Sequence, residues 1–216
     1  MVDLFKTACE MMRRFFSKIY HGLLRTEVYG KGNKIEIASK REHDFKIVVR
    51  GNHNEIKIGK NCLLSNTVIT VQGDNNHIVI EDNARFIGPC RVVMAGGSTL
   101  HIGNNAGIRG VEFNLDGGAS INVGALCMFS NGIVVRNHDS HKVIDRATGA
   151  VTNVACDITL GEHVWVCQNS TVLKGVTVGD HAVVAYGAVV VKDCPAHAVV
   201  AGNPAKVVKN NIDWDY

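Results

Sequence analysis

Residues 160–194 read LGEHVWVCQNSTVLKGVTVGDHAVVAYGAVVVKDC. Leu160, Val166, Val172, Val178, Val184 and Val190 fall six apart without a slip. Four residues after each stand Val164, Ser170, Val176, Ala182, Ala188 and Cys194, all small or medium. Neither a 3.6-residue period nor simple alternation accounts for this lattice. A period of six fits three short strands per eighteen-residue turn, wound as a triangular prism. Each aliphatic then points inward and stacks on its equivalent one coil away, Leu160 on Val178 and Val166 on Val184. Such a solenoid buries its core by stacking, each coil touching only its neighbours.

Upstream the period lengthens. Ile37, Ile58, Ile80, Ile102 and Val123 are separated by 21, 22, 22 and 21 residues, each preceded two positions earlier by Ile35, Ile56, Ile78, Leu100 or Ile121. Turns rich in Gly and Asn come before them, as in Gly51-Asn52-His53-Asn54 and Gly73-Asp74-Asn75-Asn76. Asn61, Asn83 and Asn105 follow their aliphatics by three, where a sharp corner needs a residue tolerant of the left-handed backbone region. His163 and His181 hold the same place after Leu160 and Val178 and read as turn residues. The expectation is an all-β solenoid over 30–200, with five longer coils before the regular ones.

Composition agrees. With 22 glycines, 3 prolines and only 6% aromatics, the chain suits thin repetitive β-structure better than a conventional core. A net charge of +3, spread along the chain, argues against a nucleic-acid platform built on a basic stripe. No apolar run approaches the roughly eighteen residues of a membrane-crossing helix. The seven cysteines are odd in number and form no CxxC. Cys62, Cys90, Cys127 and Cys194 each lie four after Ile58, Phe86, Val123 or Val190, the small inward position, where a free thiol acts as a compact hydrophobe. Buried free thiols fit a reducing cytoplasm.

Three segments depart from the repeat. In residues 1–25, Leu4, Phe5, Ala8, Met11, Met12, Phe15, Phe16, Ile19, Tyr20 and Leu23 recur at helical spacing between Lys6, Arg13, Arg14 and Lys18. This is expected to be an amphipathic helical cap over 1–29 on the open first coil. The alternative is a basic helix lying peripherally on an anionic inner membrane. It has neither a small-residue cleavage site nor a separate charged leader, against a secretory signal. At the far end, Ala201-Gly202-Asn203-Pro204-Ala205-Lys206 stops the repeat and begins a tail, 201–216. Between them a long loop, 136–157, leaves the scaffold, carrying Arg136-Asn137-His138-Asp139-Ser140-His141 and a Thr-Gly turn. Long loops on regular scaffolds are more often functional than ornamental. Two histidines beside an aspartate suit proton transfer near neutral pH.

The Leu160–Cys194 lattice, Val164-Trp165-Val166 and the closing Ala201–Lys206 together resemble the left-handed β-helix hexapeptide-repeat acyltransferases. The longer Gly-Asn coils, Arg136-Asn137-x-Asp139-x-His141 and Asn211-Ile212-x-Trp214 resemble in particular the bacterial capsule O-acetyltransferases that act on polysialic acid. The resemblance implies a cytoplasmic homotrimer, acetyl-CoA as co-substrate in a groove between neighbouring prisms, no metal, and a sugar-polymer acceptor. It maps the family's loop histidine onto His141, which takes the proton of the attacking hydroxyl, a contribution of roughly 10²–10⁴-fold. It maps the coil tryptophan onto Trp165, which either donates its indole N–H to the oxyanion or walls the acceptor site. Asp139 either orients an imidazole or caps a turn. Ala185, Gly187, Lys192 and Lys206 map onto the positions that pass the pantetheine arm and phosphates. Val191 stands where relatives often carry Ser or Thr.

Competing readings are a thiolate relay through the outward Cys167, a zinc enzyme using His138 and His141, a structural scaffold, and a hexapeptide enzyme with another acceptor, such as a small sugar, a nucleotide-sugar amine or serine.

Overall fold

A computed structural model describes residues 26–39 and 41–216. They form a three-sided parallel β-solenoid of about seven turns. The first face is a seven-stranded sheet built from Lys34–Ile37, Glu55–Ile58, His77–Ile80, Thr99–Ile102, Ser120–Val123, Ile158–Leu160 and Thr177–Val178. The second runs through Arg85–Ile87, Gly107–Arg109, Met128–Phe129, Trp165–Val166 and Val183–Val184 to Ala198–Ala201. The third runs through Cys90–Met94, Val111–Leu115, Ile133–Arg136, Thr171–Leu173 and Val189–Val190. Two ten-residue strands, Arg41–Arg50 and Leu63–Gln72, cross the corner between the second and third faces and join them.

Register is what the six-residue period demands. Leu160 pairs with Val178 and Val166 with Val184. Upstream, Ile58, Ile80, Ile102 and Val123 stack in one column and are buried. The small series from Val164 to Cys194 is buried beside them. The wider coils accommodate larger groups: Phe45, Phe86, Phe113 and Phe129 are buried there, whereas the eighteen-residue coils hold mostly Val and Ala. Cys62, Cys90, Cys127 and Cys194 are buried free thiols, with burial pushing Cys127 up to about 12 and Cys194 to about 11.

Corners follow the sequence as well. Asn61, Asn83, Asn105, His163 and His181 all have positive φ. At four of them the amide reaches back to the preceding coil: Asn83 N–H donates to Lys60 C=O, Asn105 N–H to Asp82 C=O, His163 N–H to Ala125 C=O and His181 N–H to Glu162 C=O. Leu126 and His197 occupy the same corner, also at positive φ. The corner before the first face carries a buried amide ladder. Asn76 Nδ2 donates to Asn54 Oδ1 (2.9 Å), and Asn76 Oδ1 accepts the Ser98 N–H (3.0 Å).

Residues 1–25, where the amphipathic helix is expected, lie outside the described residues. The cap's expected boundary at residue 29 is corrected. Thr26–Tyr29 is a strand paired in parallel with Ile47–Arg50, because Thr26 and Val28, both β-branched, continue the third face's ladder.

Replacing Asn76 by Ala leaves a buried amide acceptor and a buried N–H short of partners. Asn76→Ala is expected to lose about 2–3 kcal/mol in urea unfolding, whereas Asn104→Ala, on the exposed surface, should change little.

Candidate functional site

The loop is rooted rather than loose. Asn137 is fully buried. Its Oδ1 accepts the Asp116 N–H, its Nδ2 donates to Ala119 C=O, and its own carbonyl takes the Cys156 N–H, drawing the two ends together. Beyond this root the chain folds back as a short hairpin, with an Ile144–Val151 bridge and Thr152 N–H donating to Val143 C=O. Asp145 caps the turn through the amides of Ala147 and Thr148.

Asn153 links the two strands of the loop. Its Oδ1 accepts the Val143 N–H (2.6 Å), and its Nδ2 donates to the His141 carbonyl (2.8 Å) and to Asp139 Oδ2 (2.9 Å). Lys174, on the body of the prism, clamps the assembly by donating to Asp139 Oδ2 (2.6 Å) and the Asn153 carbonyl (2.9 Å). The Lys174 hydrogen bond, and then that of Asn153, hold the Asp139 carboxyl below its ordinary range. The Asp139 carboxylate thus fixes the backbone flanking His141; among the described residues it forms no hydrogen bond to either loop imidazole. The His141 ring is exposed, on a held backbone.

Trp165 lies elsewhere. It opens the strand Trp165–Val166 on the second face, whereas the loop leaves at the corner joining the third face to the first. One chain therefore does not bring His141 and Trp165 together. Trp165 points outward, 37% exposed, beside buried Val166, and lies 5.8 Å between centroids from Trp214 of the tail. The tail crosses the corner column: Ile212 exchanges hydrogen bonds with His197, Trp214 Nε1 donates to His163 C=O (2.7 Å) and Tyr216 Oη to Leu126 C=O (3.1 Å). Corner amides are spent on the preceding coil, so their carbonyls are left for the tail. Alongside runs an open groove of about 680 Å³ on the second face, with Arg85, Arg109, Met128, Gln168 and Tyr216 in its lining.

Of the expected cofactor positions, Ala185 is half-buried and Gly187 exposed, both where the second face turns into the third. Gly187 has φ +67°, and a Cβ there would meet nothing within 4 Å, so its outer side is open to a ligand. The closing turn stacks on the last coil through Val189 N–H to Gly202 C=O and Ala205 N–H to Val189 C=O, which carries exposed Lys206 to the same end of the prism. Lys192 is exposed at the next corner.

Sequence reasoning missed Asn153, Lys174 and Trp214 as parts of this arrangement. Trp214 stands out as one of two tryptophans. Lys174 carries no signal of its own, because its partner Asp139 is 35 residues away.

Because the folded Asp139 carboxyl titrates below its ordinary value, the clamp is intact above the ordinary carboxylate range. It is lost as pH falls through the depressed value. Lys174→Met at neutral pH, or acidification of the unmodified protein, is expected to lower amide protection over residues 139–153 in hydrogen–deuterium exchange corrected for intrinsic rates. Unchanged protection in both would remove the clamp.

Comparison with known proteins places this geometry. A family model described as bacterial transferase hexapeptide (six repeats) matches residues 157–192. The polysialic acid O-acetyltransferase of Neisseria meningitidis is 32% identical over 148 residues, 68% of this chain and 68% of the relative. That of Escherichia coli O1:K1 / APEC is 33% identical over 139 residues, 64% of this chain, and the match spans only 44% of that relative's length. The solved structure of the polysialic acid O-acetyltransferase OatWY superposes with a TM-score of 0.85 at 30% identity, covering 88% of this chain and 91% of that one. On the repeat, the shared coils and the extent of these matches, the chain belongs to the hexapeptide-repeat acetyltransferase family, alongside the polysialic acid O-acetyltransferases.

Proposed function

We propose that this acetyltransferase moves the acetyl group of acetyl-CoA directly to a hydroxyl of a surface polysaccharide, with a sialic acid polymer as the leading acceptor. The observation that carries the reading is the exposed His141 imidazole on a backbone clamped by Asn153, Asp139 and Lys174. That is how a general base is held ready without being buried in its own chain.

The separation of His141 from Trp165 within one chain supports a site shared between copies. The loop also exposes Val143 (58%), Ile144 (48%) and Val154 (61%), apolar surface suited to a neighbouring prism in a homotrimer. In such a site His141 takes the hydroxyl proton as the sugar oxygen attacks the thioester carbonyl. The C–O bond forms, the tetrahedral oxyanion collapses, the C–S bond breaks and the CoA thiolate leaves with a proton. Trp165 stands beside the reacting carbonyl, as oxyanion donor or acceptor wall. Asp139 is a positioning residue, acting on His141 through Asn153. Ala185 and Gly187 pass the pantetheine arm, while Lys192 and Lys206 meet the phosphates. The guanidinium groups of Arg85 and Arg109 along the groove favour an anionic polymer over a neutral sugar.

A covalent relay through Cys167 is disfavoured, since burial pushes its thiol up, away from the reactive thiolate. No helix among the described residues is long and apolar enough to cross a membrane. With acetyl-CoA as the donor, the proposed reaction belongs in the cytoplasm, in keeping with the buried free thiols.

His141→Ala should lose about 10²–10⁴-fold in turnover while keeping its affinity for acetyl-CoA by calorimetry. Near-normal turnover would remove His141 from the mechanism. Cys167→Ala should retain near-normal turnover. A panel of polysialic acid, free sialic acid and neutral capsule oligomers reads the acceptor, and preference for a neutral oligomer would overturn the sialic acid assignment.

A further inference from the structure

Three side chains that the acetyl-transfer reading leaves unused converge on one point beneath the tail. His163 Nδ1 and His181 Nδ1 are 3.2 Å apart, His181 Nδ1 lies 3.0 Å from Asp213 Oδ1, and His163 Nδ1 lies 3.9 Å from that same oxygen. We propose that His163, His181 and Asp213 form a zinc-class divalent metal site that clasps the C-terminal tail onto the corner of the prism.

The triangle has the dimensions of a coordination sphere. Bonds of about 2.0–2.1 Å around a tetrahedral zinc put neighbouring ligand atoms about 3.4 Å apart. The three observed separations bracket that value. Two imidazoles and one carboxylate are borderline ligands that suit zinc among the divalent ions. Hydrogen bonding alone serves the cluster poorly. A neutral imidazole has one N–H to give, and both close contacts fall on His181 Nδ1, so its single proton must be divided between His163 Nδ1 and Asp213 Oδ1. A cation at the centre engages all three.

The rings are also held in place. His163 stacks on Trp214 (4.0 Å, 16°) and His181 on His197 (4.8 Å, 14°). Asp213 is held by the Trp214 N–H, which donates to its Oδ1 (2.9 Å). Two ligands come from successive coils of one corner column and the third from the tail, so the ion ties the tail to the stack. It thereby holds Trp214 in place against Trp165.

The corner column supplies its own control. Asn61, Asn83 and Asn105 take the same backbone conformation two or more coils away, so His163→Asn and His181→Asn remove a ligand while keeping a residue the corner accepts. The full chain, purified without a polyhistidine tag and stripped with EDTA, is titrated with zinc by calorimetry and with cobalt(II) by visible absorption. The expected result is one equivalent bound, the strong visible bands of tetrahedral cobalt, an altered tryptophan emission from Trp214, and slower carboxypeptidase trimming of the tail. His163→Asn, His181→Asn and the surface variant Asp213→Asn should each lose the stoichiometric binding and the protection of the tail, EDTA-treated melting temperatures staying close to the parent's. Absence of one-equivalent binding in the parent overturns the proposal. So does binding that survives in all three variants, since it then belongs to other histidines such as His53 or His77. None of these readouts depends on acetyl transfer.

Discussion

The stacking of one coil on the next is the constraint from which everything else follows. A coil of this prism closes few of its own backbone hydrogen bonds; its amides and carbonyls are shared out between the coil before it and the coil after it. A side chain is therefore judged against the residue one turn away rather than its sequence neighbours. Inward positions repeat as aliphatic columns, and corner positions repeat as residues that tolerate positive φ. The same rule generates both the amide ladder through Asn54 and Asn76 and the imidazole column through His163, His181 and His197.

Such a scaffold has no interior room for a site. Its core is filled by Val, Ile and Phe, so chemistry is confined to what projects from the corners or lies on the outer faces. Two devices supply it. The loop 137–157 leaves one corner on a buried asparagine root and is held at mid-length by Asn153 and Lys174, which positions His141 without enclosing it. The tail lies across another corner, taking the carbonyls that coil stacking leaves over, and sets Trp214 beside Trp165. The two devices sit on different edges of one prism, and this separation is what the proposed sharing of the site between copies rests on.

Charge and burial separate the chemical roles. The cysteines at inward positions are held as thiols by desolvation, and Cys167, though facing outward, is shifted the same way. The histidines at the loop and corner keep access to solvent or to the tail. In the proposed reaction proton transfer falls to an exposed imidazole, while the inward sulfur atoms serve packing.

The amino-acid order alone was enough for the prism, its three strands per turn, the buried thiols, the left-handed corners and the position of the long loop. Each of these is a local pattern repeated at constant spacing, and stacking turns constant spacing directly into contact. The family resemblance carried by the lattice and the loop motif, rather than the period itself, pointed to His141 and Trp165. Contacts between segments with no common period were beyond its reach: Lys174 with Asp139, Asn153 with His141, Asp213 with His163 and His181, Trp214 with Trp165. Those pairs depend on how the loop and tail turn after leaving the repeat, and on which corner each crosses. The fold in three dimensions alone decides that, because it depends on which carbonyls and amides the finished stack leaves without partners.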